Sequence, residues 1–401
     1  MKPVRKAFEN PFRPGAGHMP PYLAGRREEE GEFKKLLAQR TILQNLVLTG
    51  LRGVGKTVLL ETFKPLALNE SWLWVGTDLS ESASVSEDSL AIRILTDLSV
   101  VTSILSVSIN DSEKMGFIKG SKKSQQQISY AMLHEIYKAT PGLVSDKIKG
   151  VLEFVWAELS KSGRRGIVFA YDEAQNLSDL AGKEQFPLSM LLDVFQSIQR
   201  KNIPFMLALT GLPTLFPKLV EARTYAERMF HVVTLHPLNE SDSRDAMLVP
   251  IKDSQCPVRF KDQSLDTIYK ISGGYPYFIQ FICREVYDIW TQNPDVTVPV
   301  DEMVRKLDTD FFAGRWARAT DRERDVLSIV SGLPNCDAEF TVQEIVTRAK
   351  KELEKPFSNS HVNQMLNSLI EAGLVYRNRY GKYSFAVPLL GQFIRRQIGE
   401  I

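Results

Sequence analysis

The residues Gly50-Leu51-Arg52-Gly53-Val54-Gly55-Lys56-Thr57 decide the fold of this chain, because they place a glycine and four further residues before Gly-Lys-Thr. This is the spacing of a phosphate-binding P-loop, in which glycines let the backbone turn tightly and aim N–H groups at phosphate oxygens. The lysine of the pattern reaches the β- and γ-phosphates, and the hydroxyl of the threonine binds Mg²⁺. The sequence therefore predicts a nucleoside triphosphate site, with ATP and Mg²⁺ as its ligands.

The residues flanking the loop predict a strand before it and a helix after it. Leu46-Val47-Leu48 is an apolar run of strand type, and residues 58–63 continue as a helix whose N-terminal dipole faces the phosphates. The expected nucleotide contacts from this unit are Gly50, Gly53, Val54, Gly55, Lys56, Thr57 and Val58.

Length and composition place the chain among globular proteins of two to three domains. It has 401 residues with a formal net charge of +2, and no apolar run approaches the roughly 18 residues of a membrane span. Since its first residues do not resemble a signal peptide, we expect a cytoplasmic protein without membrane contact. The cysteines and histidines have no metal-ligand or Cys-x-x-Cys spacing, which argues against a zinc site or a disulfide framework.

Strand-type and helix-type segments alternate through the first 236 residues. After a proline-rich arm, residues 25–30 open an amphipathic helix, and further strands are predicted at 72–75, 167–171, 205–209 and 232–235. This alternation predicts an α/β fold with a parallel sheet, and helical patterns at 240–247, 262–271 and 277–290 predict a small all-α lid domain. The predicted domains are an arm and linker (1–40), a P-loop core (41–236), the lid (237–317) and a C-terminal domain (318–401).

About ninety residues separate the second and third strands, which exceeds a simple crossover. We expect helices near 89–101 and 144–160 with a mobile loop between them. Lys119, Lys122 and Lys123 lie in that loop, where they are either solvated or in contact with a polyanion.

The strand at 167–171 is followed by two carboxylates, Asp172 and Glu173, as expected of a Walker B segment. Asp172 would hold Mg²⁺ together with Thr57, while Glu173 would polarise the water that attacks the γ-phosphate. Thr210 ends the next buried strand, at the sheet edge where ligands bind in open α/β folds. It is the candidate for positioning that water, or it caps the following helix.

Residues 320–385 have the order helix, helix, helix, strand, turn, strand. Thr320-Asp321-Arg322-Glu323 predicts a capping box, and Thr341 and Ser358 cap two further helices. The order fits a winged helix-turn-helix, whose third helix and wing would contact duplex DNA. The expected contacts are His361, Asn363, Gln364 and Asn367 on the helix, with Arg377, Arg379 and Lys382 in the wing. From residue 320 onward, the sequence has eleven Lys or Arg and ten Asp or Glu, which is little net positive charge for a strong DNA binder. The alternative is that the wing domain contacts a protein or inhibits its own chain.

Together these motifs resemble the AAA+ superfamily of P-loop ATPases, and more narrowly its origin-recognition-like initiators and the related STAND ATPases. The resemblance covers most of the chain, including Pro21-Tyr22-Leu23-Ala24-Gly25-Arg26, a segment that packs on the adenine in these families. It implies nucleotide contacts from Leu23 and Arg26 and a sensor 1 role for Thr210. It also implies that Arg228 is an arginine finger for a neighbouring subunit, with Arg223 as the competing candidate.

The lid departs from the initiator pattern at Pro276, which stands where initiator ATPases carry a sensor 2 arginine. STAND proteins share a Gly-x-Pro of this kind, which implies a nucleotide contact from Pro276. Without the arginine, the lid would sense the γ-phosphate through packing or backbone contacts instead of a charge-assisted hydrogen bond. We therefore expect slow ATP turnover in the absence of partners.

Two classes of function fit these expectations. One is an ATPase that is loaded onto DNA, as in replication initiation or transposition targeting, through self-assembly. The other is a STAND-like signalling or defence switch, whose nucleotide state controls a protein partner. A metabolic kinase fits poorly, because the chain shows no second substrate-binding motif.

Overall fold

The computed structural model describes residues 9–15, 17–80, 82–110, 123–255, 258–292, 298–379 and 381–399. Its strands are β1 (Asn45–Thr49), β2 (Trp72–Asp78), β3 (Ser106–Asn110), β4 (Lys123–Gln127), β5 (Gly166–Asp172), β6 (Phe205–Gly211), β7 (Phe230–Thr234), β8 (Val375–Arg379) and β9 (Lys382–Phe385). Its helices are α1 (Arg27–Leu37), α2 (Lys56–Asn69), α3 (Glu87–Thr102), α4 (Tyr130–Ala139), α5 (Val144–Leu159), α6 (Pro187–Arg200), α7 (Leu215–Ala222), α8 (Ala226–Met229), α9 (Glu240–Asp253), α10 (Asp262–Ser272), α11 (Pro276–Gln292), α12 (Val300–Leu307), α13 (Ala313–Trp316), α14 (Asp321–Ser331), α15 (Val342–Glu352), α16 (Asn359–Glu371) and α17 (Leu390–Gln397).

The chain forms two compact units. The sheet unit comprises Arg27–Thr49 and Leu59–Thr234, and the helical unit comprises the described residues of Met1–Arg26, Gly50–Val58 and Leu235–Ile401. Among the described residues, no helix is both long and apolar enough to cross a membrane.

The sheet unit is built on the predicted parallel sheet. Its described strands pair in the order β2-β5-β6-β1-β7, and every pair is parallel. The strands β1, β5 and β6 are buried along their whole length, as expected for a sheet that is covered on both faces. Because parallel strands end at the same edge, this topology brings the ends of β2, β5 and β6 next to one another.

A buried polar residue, Asn45, sets the start of β1 within the sheet unit. Its side-chain oxygen accepts hydrogen bonds from the amide of Leu207 at 2.8 Å and from Gln199 at 2.9 Å. Its side-chain nitrogen donates to the carbonyl of Met229 at 3.2 Å. These bonds satisfy the buried amide and connect β1 to its neighbours on both sides.

The segment between β2 and β5 differs from the expected helix, loop, helix. The two helices are present as α3 and α5, but the predicted loop contains the antiparallel hairpin of β3 and β4 and the helix α4. Buried Leu105 and Ile128 close the base of the hairpin, and the side chain of Ser129 caps α4 by accepting from the amide of Met132. Lys119, Lys122 and the side chain of Lys123 lie outside the described residues.

The helical unit has a continuous apolar core that includes the lid helices α9 to α12 and the C-terminal helices and hairpin. The predicted caps are present, since Thr320 and Thr341 form capping boxes and Ser358 caps α16. Three helices followed by the β8–β9 hairpin are compatible with a winged helix.

The proline-rich arm packs on the lid through the aromatic residue Phe12. Phe12 is fully buried and stacks on Phe260, with 6.1 Å between the ring centroids. Its carbonyl accepts a hydrogen bond from Arg284 of α11 at 3.2 Å. The arm therefore contributes to the core of the helical unit, which its composition did not predict.

Candidate nucleotide site

The P-loop glycines have backbone geometry that other residues rarely adopt. Gly53 and Gly55 have φ values of 77° and 97°, in the left-handed region that favours glycine. A β-carbon at Gly50 would lie 2.9 Å from the carbonyl oxygen of Leu235. The loop therefore needs glycine at these three positions, and its shape fits a cradle for phosphate groups.

Lys56 begins α2 immediately after the loop, and its ammonium group lies over the loop backbone. It donates to the carbonyls of Gly50 at 2.9 Å and Leu51 at 3.0 Å. Thr57 and Val58 follow in the first turn of the helix, at the positive end of its dipole, where an anion is stabilised. Lysine, hydroxyl and helix N-terminus together suit the phosphates and Mg²⁺ of a nucleoside triphosphate.

Arg26 holds the loop rather than facing solvent. The side chain is only 6% exposed, and it donates to the carbonyls of Val54 at 3.0 Å and His236 at 2.9 Å. Leu23 lies half-buried three residues earlier. The segment predicted to pack on the adenine thus contacts the P-loop backbone directly.

The lid helix α11 also contacts the loop. Pro276 occupies its first position, where the missing N–H costs nothing. The amide of the next residue, Tyr277, donates to the carbonyl of Gly53 at 3.2 Å. The lid therefore contacts the loop through backbone at the place where an arginine side chain would be expected.

The carboxyl ends of β5 and β6 bring the predicted acidic residues and Thr210 together. Asp172 is 4% exposed, and its Oδ1 accepts hydrogen bonds from the Thr210 hydroxyl and from the amide of Glu173 at 2.8 Å. Glu173 is exposed and has a φ of 51°, in the left-handed region. The threonine thus orients the buried carboxylate, while the adjacent glutamate faces solvent.

A third carboxylate at this edge, Asp78, was missed because the predicted second strand ended at Val75. It lies opposite Asp172 in the register of β2 and β5. Burial raises the pKa of Asp78, and the nearby charges of Asp172 and Glu173 raise it further. In the described part of the chain, no group of three or more His, Cys, Asp or Glu side chains is arranged to hold a metal ion. A Mg²⁺ ion here would depend on one carboxylate, a hydroxyl and phosphate oxygens, which is its usual mode in such sites.

The two candidate arginine fingers have different surroundings. Arg223 makes a two-pronged pair with Asp193, at 2.9 Å and 2.7 Å, and also donates to the hydroxyl of Ser189 at 2.7 Å. Although burial alone would raise the pKa of Asp193, hydrogen bonds from Arg223 and Tyr225 hold it below its usual value. Arg228 lies exposed on the short helix α8, directly before β7. Of the two arginines, Arg228 is therefore the exposed one, and Arg223 is the one paired within its own chain.

The candidate DNA contacts of helix α16 are exposed, and those of the β8–β9 hairpin have different surroundings. His361, Asn363, Gln364 and Asn367 are all exposed on α16. In the hairpin, Arg377 is exposed and lies over the ring of Tyr383, whose hydroxyl donates to Asn363 at 3.5 Å. Lys382 is half-exposed, and the side chain of Arg379 lies outside the described residues.

The P-loop residue Arg52 lies beside the end of α16. Gly373, which follows that helix with a φ of 70°, would bring a β-carbon within 3.5 Å of Nη2 of Arg52. A guanidinium at this position is attracted by the negative end of the helix dipole. The P-loop and helix α16 are therefore neighbours within the helical unit.

Comparisons with known proteins extend over nearly the whole chain at low sequence identity. A family model described as a domain of unknown function (DUF8462) matches residues 309–394. The chain is similar to the Walker-type ATPase PABY2304 of Pyrococcus abyssi, with a TM-score of 0.57, 15% identity, and 93% of this chain and 96% of that chain covered. It is also similar to the ORC2 protein of Aeropyrum pernix in ADPNP–ADP complexes, with a TM-score of 0.52, 11% identity, and 96% and 98% covered. No curated protein matches the chain.

These likenesses confirm the predicted α/β fold with its parallel sheet. The parallel sheet contains the five strands that the sequence predicted for the core, and the similarity to Pyrococcus abyssi PABY2304 and Aeropyrum pernix ORC2 extends across nearly the whole chain. The protein has the α/β fold of the AAA+ P-loop ATPases.

Proposed function

We propose that the protein is a Mg²⁺-dependent ATPase that works as a nucleotide switch on duplex DNA. The observation that carries the ATPase assignment is the P-loop built by Gly50, Gly53 and Gly55 with Lys56 at its end. The presence of ADPNP and ADP in the ORC2 complexes of the same fold supports a nucleotide ligand. The proposal keeps the four domains at 1–40, 41–236, 237–317 and 318–401, and a cytoplasmic location.

The residues of the chain have separate tasks in this proposal. Lys56 and the loop amides hold the phosphates, while Leu23, Arg26 and Pro276 belong to the segments that shape the nucleotide site. Mg²⁺, held by Thr57 and Asp172, would neutralise charge on the phosphates when bound. Thr210 fixes the Asp172 carboxylate, and Glu173 orients the attacking water and accepts its proton.

The DNA assignment depends on the C-terminal domain. Its third helix presents a continuous polar face with Asn363, Gln364 and Asn367, and Arg377 adds positive charge beside it. Polar side chains of this kind suit base edges, while the arginine suits a phosphate. The position of Arg52 beside the end of α16 supports a route by which nucleotide binding alters the DNA-facing helix.

The second candidate is a switch that acts on a protein partner. It is favoured by the near balance of charge in the last 82 residues, which contain eleven basic and ten acidic residues. Strong DNA-binding domains carry a denser positive charge, because phosphate contacts supply most of their affinity.

One experiment separates these candidates, and it measures ATPase rate and particle mass with and without duplex DNA at low and moderate salt. We expect slow basal hydrolysis, stimulation by DNA that weakens as salt rises, and assembly on DNA. A nucleotide-bound monomer whose ATPase rate and mass do not change with DNA at either salt concentration would favour the switch that acts on a protein partner. No ATP binding at all would overturn the ATPase assignment.

We expect Arg228→Ala to leave ATP affinity unchanged and to slow hydrolysis by the assembled protein at least about a hundredfold, because an arginine finger stabilises charge in a neighbour's transition state. Arg223→Ala is the matched comparison, since that arginine is paired with Asp193 inside its own subunit. Arg223→Ala should lower the melting temperature, but the rate of ATP hydrolysis per folded assembly should stay unchanged. The opposite pattern, with the rate lost only in Arg223→Ala, would exchange the two assignments.

A further inference from the structure

Three arginines without a carboxylate partner lie close together in the helical unit. Arg52 is an exposed residue of the P-loop, Arg315 is half-buried on α13, and Arg318 is exposed three residues later. The amide of Arg318 donates to the carbonyl of Arg315 at 3.1 Å, so these two belong to one turn. Within the described ranges, no carboxylate forms an ion pair with any of the three, although the exposed acids Asp310 and Glu371 are on neighbouring elements.

Stacked side chains place Arg315 next to the P-loop. Its guanidinium lies 4.2 Å from the centre of the Phe311 ring and donates to the carbonyl of the same residue. The centre of the Phe311 ring lies 5.3 Å from that of Tyr277, and the amide of Tyr277 donates to the carbonyl of Gly53 at 3.2 Å. Gly53 follows Arg52 directly, so the loop arginine and Arg315 are neighbours. Stacking on an aromatic face orients a guanidinium without neutralising it.

The positive charge of this cluster is not balanced. Burial lowers the pKa of Arg315, and the charges of Arg52 and Arg318 lower it further, while Tyr277 offsets part of the effect. The negative end of the α16 dipole, beside Arg52, carries only about half an elementary charge. The guanidinium groups therefore repel one another, and a bound anion would remove this cost. Guanidinium groups hold phosphate through paired N–H donors, so the cluster suits a phosphate group.

The cluster lies at the end of the helix that carries the candidate DNA contacts. A β-carbon at Gly373, two residues after α16, would lie 3.5 Å from Nη2 of Arg52. The exposed Asn367 precedes Gly373 by six residues, which is about 9 Å along a helix axis. The major groove of DNA is about 12 Å wide and is bordered by the two phosphate backbones. A helix that lies in the groove through Asn367 therefore brings a backbone phosphate within reach of arginines at its end.

Helix α16 has no cation of its own. Its sequence from Asn359 to Glu371 contains no Lys or Arg. In the described part of the hairpin, Arg377 is exposed and Lys382 is half-exposed. Phosphate contacts from Lys and Arg supply a large part of the affinity of DNA-binding proteins. A duplex on α16 would therefore find few cations in the helix and hairpin, and the cluster offers three more.

We propose that Arg52, Arg315 and Arg318 bind backbone phosphates of the duplex whose major groove receives α16. The inference rests on the proposed DNA function and adds a contact region outside the third helix and the hairpin. Because Arg52 belongs to the P-loop, the duplex would then touch the nucleotide-binding loop itself. The other source of phosphate near the loop is bound ATP, which a measurement of ATP affinity distinguishes.

The test measures binding of the full-length protein to a fluorescent mixed-sequence duplex over a range of salt concentrations. In Arg315→Gln/Arg318→Gln, the plot of log affinity against log salt should become less steep by about 1 to 2, since each phosphate contact contributes about 0.9. At low salt, the affinity for the duplex should fall at least about tenfold. Arg52 is kept in this variant because it belongs to the nucleotide-binding loop.

Arg40→Gln/Arg164→Gln is the matched control, because it removes the same total charge. Both arginines are exposed and precede β1 and β5, at the amino-terminal edge of the sheet. The salt dependence of this control should equal that of the wild type. Arg318→Gln alone keeps the test available if the melting temperature shows that Arg315→Gln/Arg318→Gln does not fold, since the Arg318 side chain is exposed.

The outcomes distinguish this contact from the proposed function. If the wild type binds DNA and the cluster variant keeps the slope and affinity of the control, the arginine contact alone is overturned. Unchanged DNA binding together with weaker ATP binding in isothermal titration would assign the cluster to the nucleotide, and would overturn it too. A wild type that does not bind the duplex at low salt would overturn the proposed DNA function, and the contact with it.

Discussion

Glu173→Gln is expected to bind ATP normally and to lose steady-state hydrolysis by about a hundredfold to a thousandfold or more. The amide has almost the same shape as the carboxylate, but it cannot accept a proton from the attacking water. General base catalysis contributes typically 10²–10⁴-fold, which sets the size of the loss. Because both P-loop and lid stay unchanged, the variant should retain ATP rather than ADP after purification.

The loss is measured by steady-state turnover together with the nucleotide content of the purified protein. The chain offers a close control in Glu184, which is also exposed and also has a left-handed backbone, with a φ of 54°. Glu184→Gln changes the same chemistry at a residue outside the proposed site, and its turnover should match the wild type. Normal turnover by Glu173→Gln would mean that another group orients the water.

Lys56→Ala is expected to weaken ATP binding by about a hundredfold. Charge-assisted hydrogen bonds are worth about 1.5–3 kcal/mol, and about 2.7 kcal/mol corresponds to a hundredfold change in Kd. The substitution also removes the bonds from the ammonium group to the carbonyls of Gly50 and Leu51, so the loop loses part of its own support. Binding should therefore weaken for ADP as well, though less than for ATP.

Isothermal titration of ATP and ADP measures this effect directly. Lys64→Ala is the control, because that lysine is exposed on the same helix, two turns further along. Its Kd should equal that of the wild type, and the melting temperatures of both variants show whether the fold is kept. Unchanged ATP affinity in a folded Lys56→Ala variant would contradict the assignment of the P-loop lysine.

The sequence was sufficient for the features that depend on neighbouring residues. The P-loop was recognised because backbone turns, lysine and hydroxyl must follow one another at set distances to surround a triphosphate. The position of Asp172 and Glu173 at the end of β5 was predicted because an apolar strand that ends in acids is a local pattern. The helix caps at Thr320, Thr341 and Ser358 were also predicted, since each acts on amides within three residues of itself.

The tertiary structure alone decided the features that depend on residues distant in sequence. Arg223 and Arg228 have similar local sequence surroundings, and only the pairing with Asp193, thirty residues away, distinguishes them. Likewise, Asp78 joins the acidic edge through the register of β2 with β5, and Phe12 joins the lid core across about 250 residues. The proximity of Arg52 to Arg315 and Arg318 also comes from chain folding. Side-chain spacing along a chain determines local turns and caps, but which distant surfaces meet depends on how the whole chain packs its apolar residues.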